Sequence, residues 1–321
     1  MHLATVWTER VPGRGEDAEP FAAHHLGTQQ GLIAVFDGLG GSGSSPAWQS
    51  PGGEARTGAW VGSRVARLAL DHWFHDAVAA GEPMTAQRFH EYLGYFLAHA
   101  PKRHSKIVGK MRRQLPTTLA AVRYKVGQGQ LDLEAFWAGD SRAYVFSPDG
   151  GLRVLTRDHT DEDDTLELLR SDPPMTNVVS ADRHFVIDSQ QLSLGLPCVL
   201  LAATDGFFGY LTTPAEFECA LLHTLTTSHS QRDWADQLSL AVQKYTADDA
   251  SLAIVSLGYD SFDALRSSFT ERHREVVDRY VRSKPRDFQQ VELLRDWQNR
   301  TWQEYRSDYE SYLPSLPEGS A

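Results

Sequence analysis

Strand-like runs occupy the middle of this chain, and their order restricts the possible folds more than any other feature. These runs have the length and the apolar content of buried strands, and they cover residues 31–36, 117–124, 131–138, 142–146, 197–204 and 251–257. Helical periodicity falls instead on residues 54–80, 85–113, 214–226 and 231–246. Two helices therefore come before the block of strands, and two more precede the last strand. Because helices and strands do not alternate, this order predicts an α+β fold with antiparallel sheets rather than a doubly wound parallel sheet.

The composition of the chain changes after Gly258. Residues 259–321 contain no strand-like run, but large apolar residues recur there at helical spacing. One helix face is predicted to carry Val291, Leu294, Trp297, Trp302, Tyr305, Tyr309 and Tyr312. An earlier helix, separated from it by Pro285, is predicted to contain Phe269, Val276, Val277 and Tyr280. We therefore predict one domain over residues 1–258 and a helical C-terminal extension over 259–321. The extension is expected to pack on that domain or to dock a partner, and to supply no catalytic group.

Charge and hydropathy exclude several functional classes. The chain has 31 basic and 42 acidic side chains, a net charge of −11, which repels phosphate backbones and argues against nucleic acid as a partner. No window approaches the roughly 18 apolar residues of a membrane span, and the N-terminus lacks a signal-peptide core. A cytoplasmic protein without a membrane segment is therefore expected. Cys198 and Cys219 lie in apolar surroundings and are predicted to be buried thiols rather than a disulfide.

The segment GLIAVFDGLGGSGSS, residues 31–45, offers two interpretations. The spacing of a dinucleotide-binding loop is matched by Gly38, Gly40 and Gly43. In such a loop a helix opens at the third glycine, but here Pro46 follows closely. Asp37, directly before the first glycine, would also face an anionic ligand. The context therefore favours Asp37, at the end of an apolar run, as the centre of the motif.

Aspartates stand at the ends of other strand-like runs as well. Such residues are Asp37, Asp140, Asp205, Asp248 and Asp249. Any one of them is explained by the preference of Asp and Gly for turns. Several carboxylates gathered at one sheet edge would instead repel one another and require a cation. Because no His/Cys cluster accompanies them, the oxygen-only donor set indicates Mg²⁺ or Mn²⁺.

Seven stretches of the chain resemble, in order, the motifs of metal-dependent Ser/Thr protein phosphatases of type 2C, in particular bacterial ones. They are GEDA (15–18), AVFDGLGG (34–41), LPTTLAAV (115–122), WAGDSRAYVF (137–146), LTRDH (155–159), LLAATDGFFGYL (200–211) and DDASLAIV (248–255). The resemblance covers about residues 1–258. It implies two antiparallel sheets packed as a sandwich, helices on the outside, and a binuclear metal site at one edge.

The resemblance also implies roles for individual residues. Asp37 would bridge two Mn²⁺ or Mg²⁺ ions, and Asp205 and Asp248 would complete the shell of one ion. The Gly38 carbonyl and Glu16 would serve the other ion, and Asp17 would hold metal-bound waters. Asp140 corresponds to a position that helps to bind a weaker third ion. Asp37, Asp205 and Asp248 are thus the implied catalytic set.

Substrate recognition departs from the family pattern. The family's phosphate-binding arginine falls on Pro12, so Arg14, with Arg10 as the fallback, is the predicted phosphate ligand. Leu39 stands where some members have His, so a metal-bound water is the expected proton source. The segment that contains a mobile flap in the family is short here. His159 is expected to brace a turn.

Two charged stretches allow a functional and a plain interpretation. Residues 101–113 carry six basic side chains and no acid, which suits either an acidic or phosphorylated partner or a solvated helix face. Residues 158–167 are acidic enough for a further cation site, although a solvated loop is the simpler interpretation.

The resemblance implies hydrolysis of phosphoserine and phosphothreonine in proteins by a metal-activated water, in opposition to a Ser/Thr kinase. One alternative is a catalytically inactive binding or scaffold protein on the same fold, and another is a small-molecule phosphatase. A decayed site would have lost a ligand, whereas Asp37, Asp205 and Asp248 are all present. The enzyme is therefore favoured.

Overall fold

Two five-stranded antiparallel sheets dominate the computed structural model, which describes residues 1–101, 112–171, 173–285 and 290–315. Sheet A contains, in spatial order, β1 (His2–Thr8), β12 (Ala250–Leu257), β11 (Cys198–Ala203), β8 (Arg142–Ser147) and β9 (Gly151–Val154). Sheet B contains β10 (Asp188–Gly195), β7 (Gln130–Ala138), β6 (Leu119–Val126), β3 (Gln30–Val35) and β2 (Phe21–His25). A separate hairpin pairs β4 (Pro46–Gln49) with β5 (Ala55–Thr57).

Helices cover the outer face of each sheet. The first group is α1 (Gly40–Gly43), α2 (Gly58–Ala80) and α3 (Ala86–His99), of which α2 and α3 pack on sheet B. Beside sheet A lie α4 (Thr165–Ser171), α5 (Asp205–Phe208), α6 (Pro214–Thr227), α7 (Gln231–Val242), α8 (Phe262–Ser268), α9 (Thr270–Val276) and α10 (Val291–Tyr309). A π-helical turn, Val277–Val281, continues α9. The predicted α+β sandwich with flanking helices is confirmed. Within the described ranges, no helix has the length and apolarity needed to cross a bilayer.

The alternation of side chains along a strand explains why the central strands are apolar throughout. In β3, Ile33 and Val35 face the layer between the sheets, where they join side chains such as Val255 of sheet A. Leu32 and Ala34 point the other way, into the layer beneath α2 and α3. Both faces of the strand are therefore buried, and neither tolerates a charged side chain.

Two helix predictions have different bounds in the structure. The helix predicted over 54–80 begins only at Gly58, because Ala55–Thr57 pair with β4. The helix predicted over 85–113 ends at His99. Residues 102–111 of its basic end lie outside the described residues, so the two interpretations of that stretch remain open there. Cys198 and Cys219 are free thiols, and Cys198 is buried.

The C-terminal extension packs on the side of sheet A that carries α6. Trp302, Tyr305 and Tyr309 of α10 belong to the same apolar cluster as Leu201 of β11 and Leu222 of α6. Trp297 is also buried. Val291, in contrast, is 67% exposed, so its inclusion in the buried face is wrong.

Candidate functional site

Four strands approach the same edge of the sandwich, and each carries an aspartate just outside it. Asp37 follows β3, Asp140 follows β7, Asp205 follows β11 and Asp248 precedes β12. The strands β11 and β12 are antiparallel neighbours, and β3 and β7 both pair with β6. All four aspartates line a single cleft of about 600 Å³.

Most of the predicted metal ligands meet in this cleft. Glu16 and Gly38 line it together with the four aspartates. Asp17 is only 2% exposed and accepts a hydrogen bond of 3.0 Å from the hydroxyl of Thr204, the residue before Asp205. The other lining residues are Leu39, Gly40, Gly41, Ser42, Arg113, Pro174, Met175, Val178, Arg183 and Asp249.

Crowding makes these carboxylates difficult to ionise together. Burial raises the pKa of Asp37 well above its ordinary value, and the charges of Asp17, Asp205 and Asp140 raise it further. Burial and then the charge of Asp249 raise the pKa of Asp17 to about 8. The pKa of Asp140 is raised well above normal by burial and by Asp205. The chain has thus placed acidic groups where their mutual repulsion is strong.

Hydrogen bonds to the main chain fix the position of Asp37. Its carbonyl oxygen accepts from the Thr117 hydroxyl at 2.7 Å and from the Thr118 amide at 2.8 Å. The Thr118 hydroxyl lies 2.6 Å from that of Ser141, next to Asp140. The two threonines belong to the LPTT stretch, whose role the sequence by itself does not indicate.

Two glycines of the segment 31–45 lie close to Glu16. A Cβ on Gly40 would lie 2.1 Å from a carboxylate oxygen of Glu16, and one on Gly38 would lie 2.5 Å from its carbonyl oxygen. The Thr57 hydroxyl donates to the Glu16 carboxylate at 2.5 Å. Gly38 is required because the obstacle there is main chain, whereas the flexible Glu16 side chain could move away from a Cβ at Gly40. Gly38 therefore admits the acidic segment to the cleft, which agrees with the interpretation centred on Asp37.

Asp249 ties the N-terminal segment to the cleft. Its two carboxylate oxygens accept from the Arg10 amide at 2.8 Å and from the Glu16 amide at 2.6 Å. The sequence placed Asp249 before β12 but gave no sign of these bonds, because the partners lie more than 230 positions away. Asp249 thereby orients Glu16 and leaves Asp248 beside the cleft.

The donor set of the cleft suits hard divalent cations. The predicted ligands Glu16, Asp37, Gly38, Asp205 and Asp248 all offer oxygen atoms, which Mg²⁺ and Mn²⁺ prefer. No donor within the described residues reaches the buried Oδ1 atom of Asp140, and an orphaned oxygen of this kind is open to an ordered water or a cation. As the described side chains stand, no three His, Cys, Asp or Glu residues are close enough around one point to hold an ion. The argument that the cleft suits a divalent cation therefore rests on the chemistry of its oxygen ligands and on the mutual repulsion of its carboxylates.

The predicted phosphate ligands lie elsewhere. Arg14 is exposed and lines a neighbouring depression of about 460 Å³, which shares Glu16 with the cleft. Arg10 is exposed as well, and it meets Asp249 through its amide. Among the described residues, the basic side chains that line the cleft are instead Arg113 and Arg183. Arg113 is the last residue of the basic stretch 101–113, and no sequence signal singled out Arg183.

The acidic stretch 158–167 is largely neutralised by arginines. Arg142, which is buried, donates to both carboxylate oxygens of Asp158 at distances of 2.7 to 3.2 Å. Arg306 of α10 donates to Asp164 at 2.8 Å. The stretch is therefore neither a plain solvated loop nor a set of free metal ligands.

His159 braces a turn, as predicted. Its Nδ1 atom accepts from the amide of Gly139 at 3.0 Å, and its own amide donates to the carbonyl of the same residue. The Nε2 atom lies 3.2 Å from a carboxylate oxygen of Asp188. His159 therefore holds the turn that presents Asp140.

Comparison with known proteins agrees with this geometry. The sequence profile of a family described as "Protein phosphatase 2C" matches residues 16–244, which is most of the chain. That span begins at Glu16 and includes Asp37, Asp140 and Asp205. A search by sequence among curated proteins finds no match.

Several solved structures share the fold. A bacterial serine phosphatase matches with a TM-score of 0.55 and 19% identity, over 80% of this chain and 98% of its own. The Mycobacterium tuberculosis serine/threonine phosphatase PstP/Ppp matches with a TM-score of 0.54 and 17% identity, over 80% and 99%. Serine/threonine phosphatase Stp1 from Staphylococcus aureus matches with a TM-score of 0.54 and 18% identity, over 80% and 95%. At these identities the likeness is one of fold.

Proposed function

Because this chain belongs to the protein phosphatase 2C family, we propose that it is a metal-dependent enzyme that hydrolyses phosphoserine and phosphothreonine in proteins. One observation carries the proposal. Asp37, Asp140, Asp205 and Asp248 line one cleft, in which burial and mutual repulsion raise the pKa values of Asp37 and Asp140. A site of this kind is stabilised by divalent cations and, once they are bound, attracts an anionic phosphoryl group.

Each acidic residue has a proposed role toward two Mn²⁺ or Mg²⁺ ions. Asp37 would bridge them, Asp205 and Asp248 would bind one, and Glu16 with the Gly38 carbonyl would bind the other. Asp17 would orient the surrounding waters, and Asp140 would contribute to a weaker third site. When bound, the ions supply an activated water and offset the charge of the phosphoryl group.

The chain itself positions these ligands. Thr117 and Thr118 fix the main chain of Asp37, and Asp249 orients Glu16. Arg14 is the proposed phosphate ligand, since its depression shares Glu16 with the cleft, and Arg10 is the fallback. The substrate would be a phosphorylated cytoplasmic protein, and the opposing enzyme a Ser/Thr kinase.

Metal add-back tests the proposal directly. The full chain is stripped of divalent ions with a chelator, and release of phosphate from an aryl phosphate and from a phosphothreonine peptide is measured with increasing Mn²⁺. We expect saturable, Mn²⁺-dependent hydrolysis of both compounds. Asp205→Asn should lower turnover by roughly two to three orders of magnitude, whereas the matched change Asp260→Asn at an exposed position should not.

Three other outcomes would contradict the proposal in different ways. Hydrolysis of the aryl phosphate alone would indicate a small-molecule phosphatase. Binding of the phosphopeptide without turnover at any metal concentration would indicate an inactive binding protein. Full activity of Asp205→Asn would exclude the metal site described above.

A further inference from the structure

Two arginines line the acidic cleft and have no role in the metal site. Arg113 is half-buried and Arg183 is exposed, and both line the cleft beside Leu39, Met175 and Val178. They lie close enough for the charge of Arg183 to lower the pKa of Arg113, an effect second only to burial. Two guanidinium groups held near each other repel. The charge of Asp182 offsets part of this repulsion at Arg113, and an anion bound between the two groups would reduce it further.

The main chain holds these arginines in place. The amide of Arg113 donates to the Ser42 carbonyl at 3.2 Å, and the amide of Ala181 donates to the Gln114 carbonyl at 2.8 Å. The guanidinium of Arg183 donates to the carbonyl of Arg112 at 3.3 Å.

A side-chain contact adds to this connection. The amide of Gln114 donates to Asp182 at 2.8 Å. The segments that carry the two arginines are thus joined to each other and to the glycine-rich loop of the cleft.

The charges that act most strongly on Asp37 and on Arg113 belong to different residues. The charges that most affect Asp37 are those of four other aspartates, and those that most affect Arg113 are Arg183 and Asp182. A substrate whose phosphoryl group reaches the carboxylate end would therefore meet the arginines with a neighbouring part of its chain. The apolar side chains Leu39, Met175 and Val178 lie along the same cleft.

We propose that Arg113 and Arg183 bind an anionic side chain that flanks the phosphorylated residue of the substrate, so that the protein selects acidic phosphopeptides. The inference rests on the proposed function. The net charge of −11 makes the proposed selectivity unexpected for the protein as a whole, which should repel acidic peptides. Only a local cationic site would make the protein bind an acidic peptide more tightly than a neutral one. A carboxylate and a second phosphate share the required chemistry, since both accept forked hydrogen bonds from guanidinium groups.

The test uses the full chain with Mn²⁺ and three phosphothreonine peptides. The peptides differ only at the positions beside the phosphothreonine, which carry Glu, Gln or phosphoserine. We expect the wild type to prefer the Glu peptide over the Gln peptide by about tenfold in kcat/KM, mainly through KM, which is the effect of one charge-assisted hydrogen bond. For the phosphoserine peptide, mass spectrometry follows loss of the phosphate from threonine alone, because the proposed enzyme hydrolyses phosphoserine as well. A still larger preference in this measurement would identify a second phosphate as the better ligand.

Variants assign the preference to particular residues. Arg113→Gln and Arg183→Gln should each reduce the preference for Glu, and the double variant should favour the Gln peptide, because only the repulsion by the protein is left. Arg113→Lys should keep most of the preference for the Glu peptide, because the positive charge is retained. The matched control is Arg112→Gln, an exposed neighbour whose side chain donates to the Ser45 hydroxyl at 3.2 Å and does not line the cleft.

The outcomes separate this inference from the proposed function. Equal hydrolysis of the Glu and Gln peptides by the wild type would overturn the inference while supporting the phosphatase. An unchanged preference in the double variant would also overturn it. If no peptide is hydrolysed, the proposed function fails, and fluorescence anisotropy of the labelled peptides then decides. Tighter binding of the Glu peptide that is lost in the double variant supports the inference, and equal binding of both peptides overturns it.

Discussion

Asp37 and Asp140 in the cleft and Glu218 beneath the C-terminal extension are buried carboxylates in contrasting surroundings. In the cleft, Asp37 and Asp140 are surrounded by other acids. Beneath the C-terminal extension, Glu218 of α6 is fully buried and accepts two hydrogen bonds from Arg272, at 2.7 and 3.0 Å. The Tyr305 hydroxyl of α10 donates to the same carboxylate.

This contrast distinguishes acidic residues that stabilise the fold from acidic residues that are available to bind a ligand. Where an acid serves the fold, as Glu218 does, the chain supplies the cation itself and satisfies both oxygens. Where the acids face the cleft, the described residues leave one oxygen of Asp140 without a partner. We interpret this difference as the mark of the proposed cation site, because an uncompensated buried charge has no structural benefit of its own.

Asp37→Asn tests the cleft side of the contrast and should have the largest effect. We expect turnover with Mn²⁺ to fall by about a thousandfold, since the proposed bridging ligand is lost. In chelator, the same change should raise the melting temperature, because it relieves repulsion from Asp17, Asp205 and Asp140. Phosphate release and thermal unfolding, each with and without Mn²⁺, measure both effects. A lower melting temperature in chelator would show that Asp37 is stabilising without metal and would break the contrast.

Arg272→Met tests the opposite side. It leaves Glu218 buried without its cation, and the free energy of unfolding should fall by about 3–5 kcal/mol. Chemical denaturation measures this loss. The control is Glu271→Gln, which removes an ion pair whose partners are 70% and 85% exposed and should cost less than about 1 kcal/mol. Similar losses for both variants would mean that burial of Glu218 does not matter.

The pH dependence of stability should differ between the metal-free and the metal-loaded protein. The pKa of Asp17 is raised from 3.8 to about 8, first by burial, so the folded state retains a proton that the unfolded state loses above about pH 4. The metal-free protein should therefore lose stability as the pH rises from about 4 to 8, by roughly 10 °C in melting temperature. Bound Mn²⁺ favours the ionised form and should flatten this slope. A metal-free melting temperature that rises over this interval would contradict the expectation. Asp17→Asn is the control that should reduce the slope, and the raised pKa values of Asp37 and Asp140 account for the part that is left.

Tyr309→Phe tests the place where the two regions meet and should have the smallest effect. The Tyr309 hydroxyl lies 3.4 Å from Arg142, which pairs with Asp158 near Asp140. We expect a loss of about 1 kcal/mol or less in the free energy of unfolding, and unchanged turnover. A marked fall in kcat without a loss of stability would show that the C-terminal extension takes part in the chemistry of the cleft.

The sequence predicted the elements whose signals are local. β3 and β12 are apolar runs, and both of their faces are covered in the sandwich, so their composition was sufficient. β10 was missed because it is an edge strand with the polar sequence DSQQLSLG, in which every second residue is exposed. The start of α2 was placed too early because the pairing of β5 with β4 depends on a partner strand.

The residues of the candidate site also differ in whether a local sequence signal identifies them. Asp37, Asp140, Asp205 and Asp248 were recognisable by themselves, because each stands where an apolar strand ends or begins, and that position is a local property. The cleft arginines could not be recognised in this way, since Arg183 meets Arg112 across 71 positions.

The sequence by itself therefore determined which acids stand at the strand ends. Only the tertiary structure decided which charges are neutralised. Glu218 and Tyr305 are 87 positions apart, and Glu218 and Arg272 are 54 apart. The physical reason is that burial depends on local composition, whereas a charge is balanced by whichever group the packing of distant segments brings within a few ångströms.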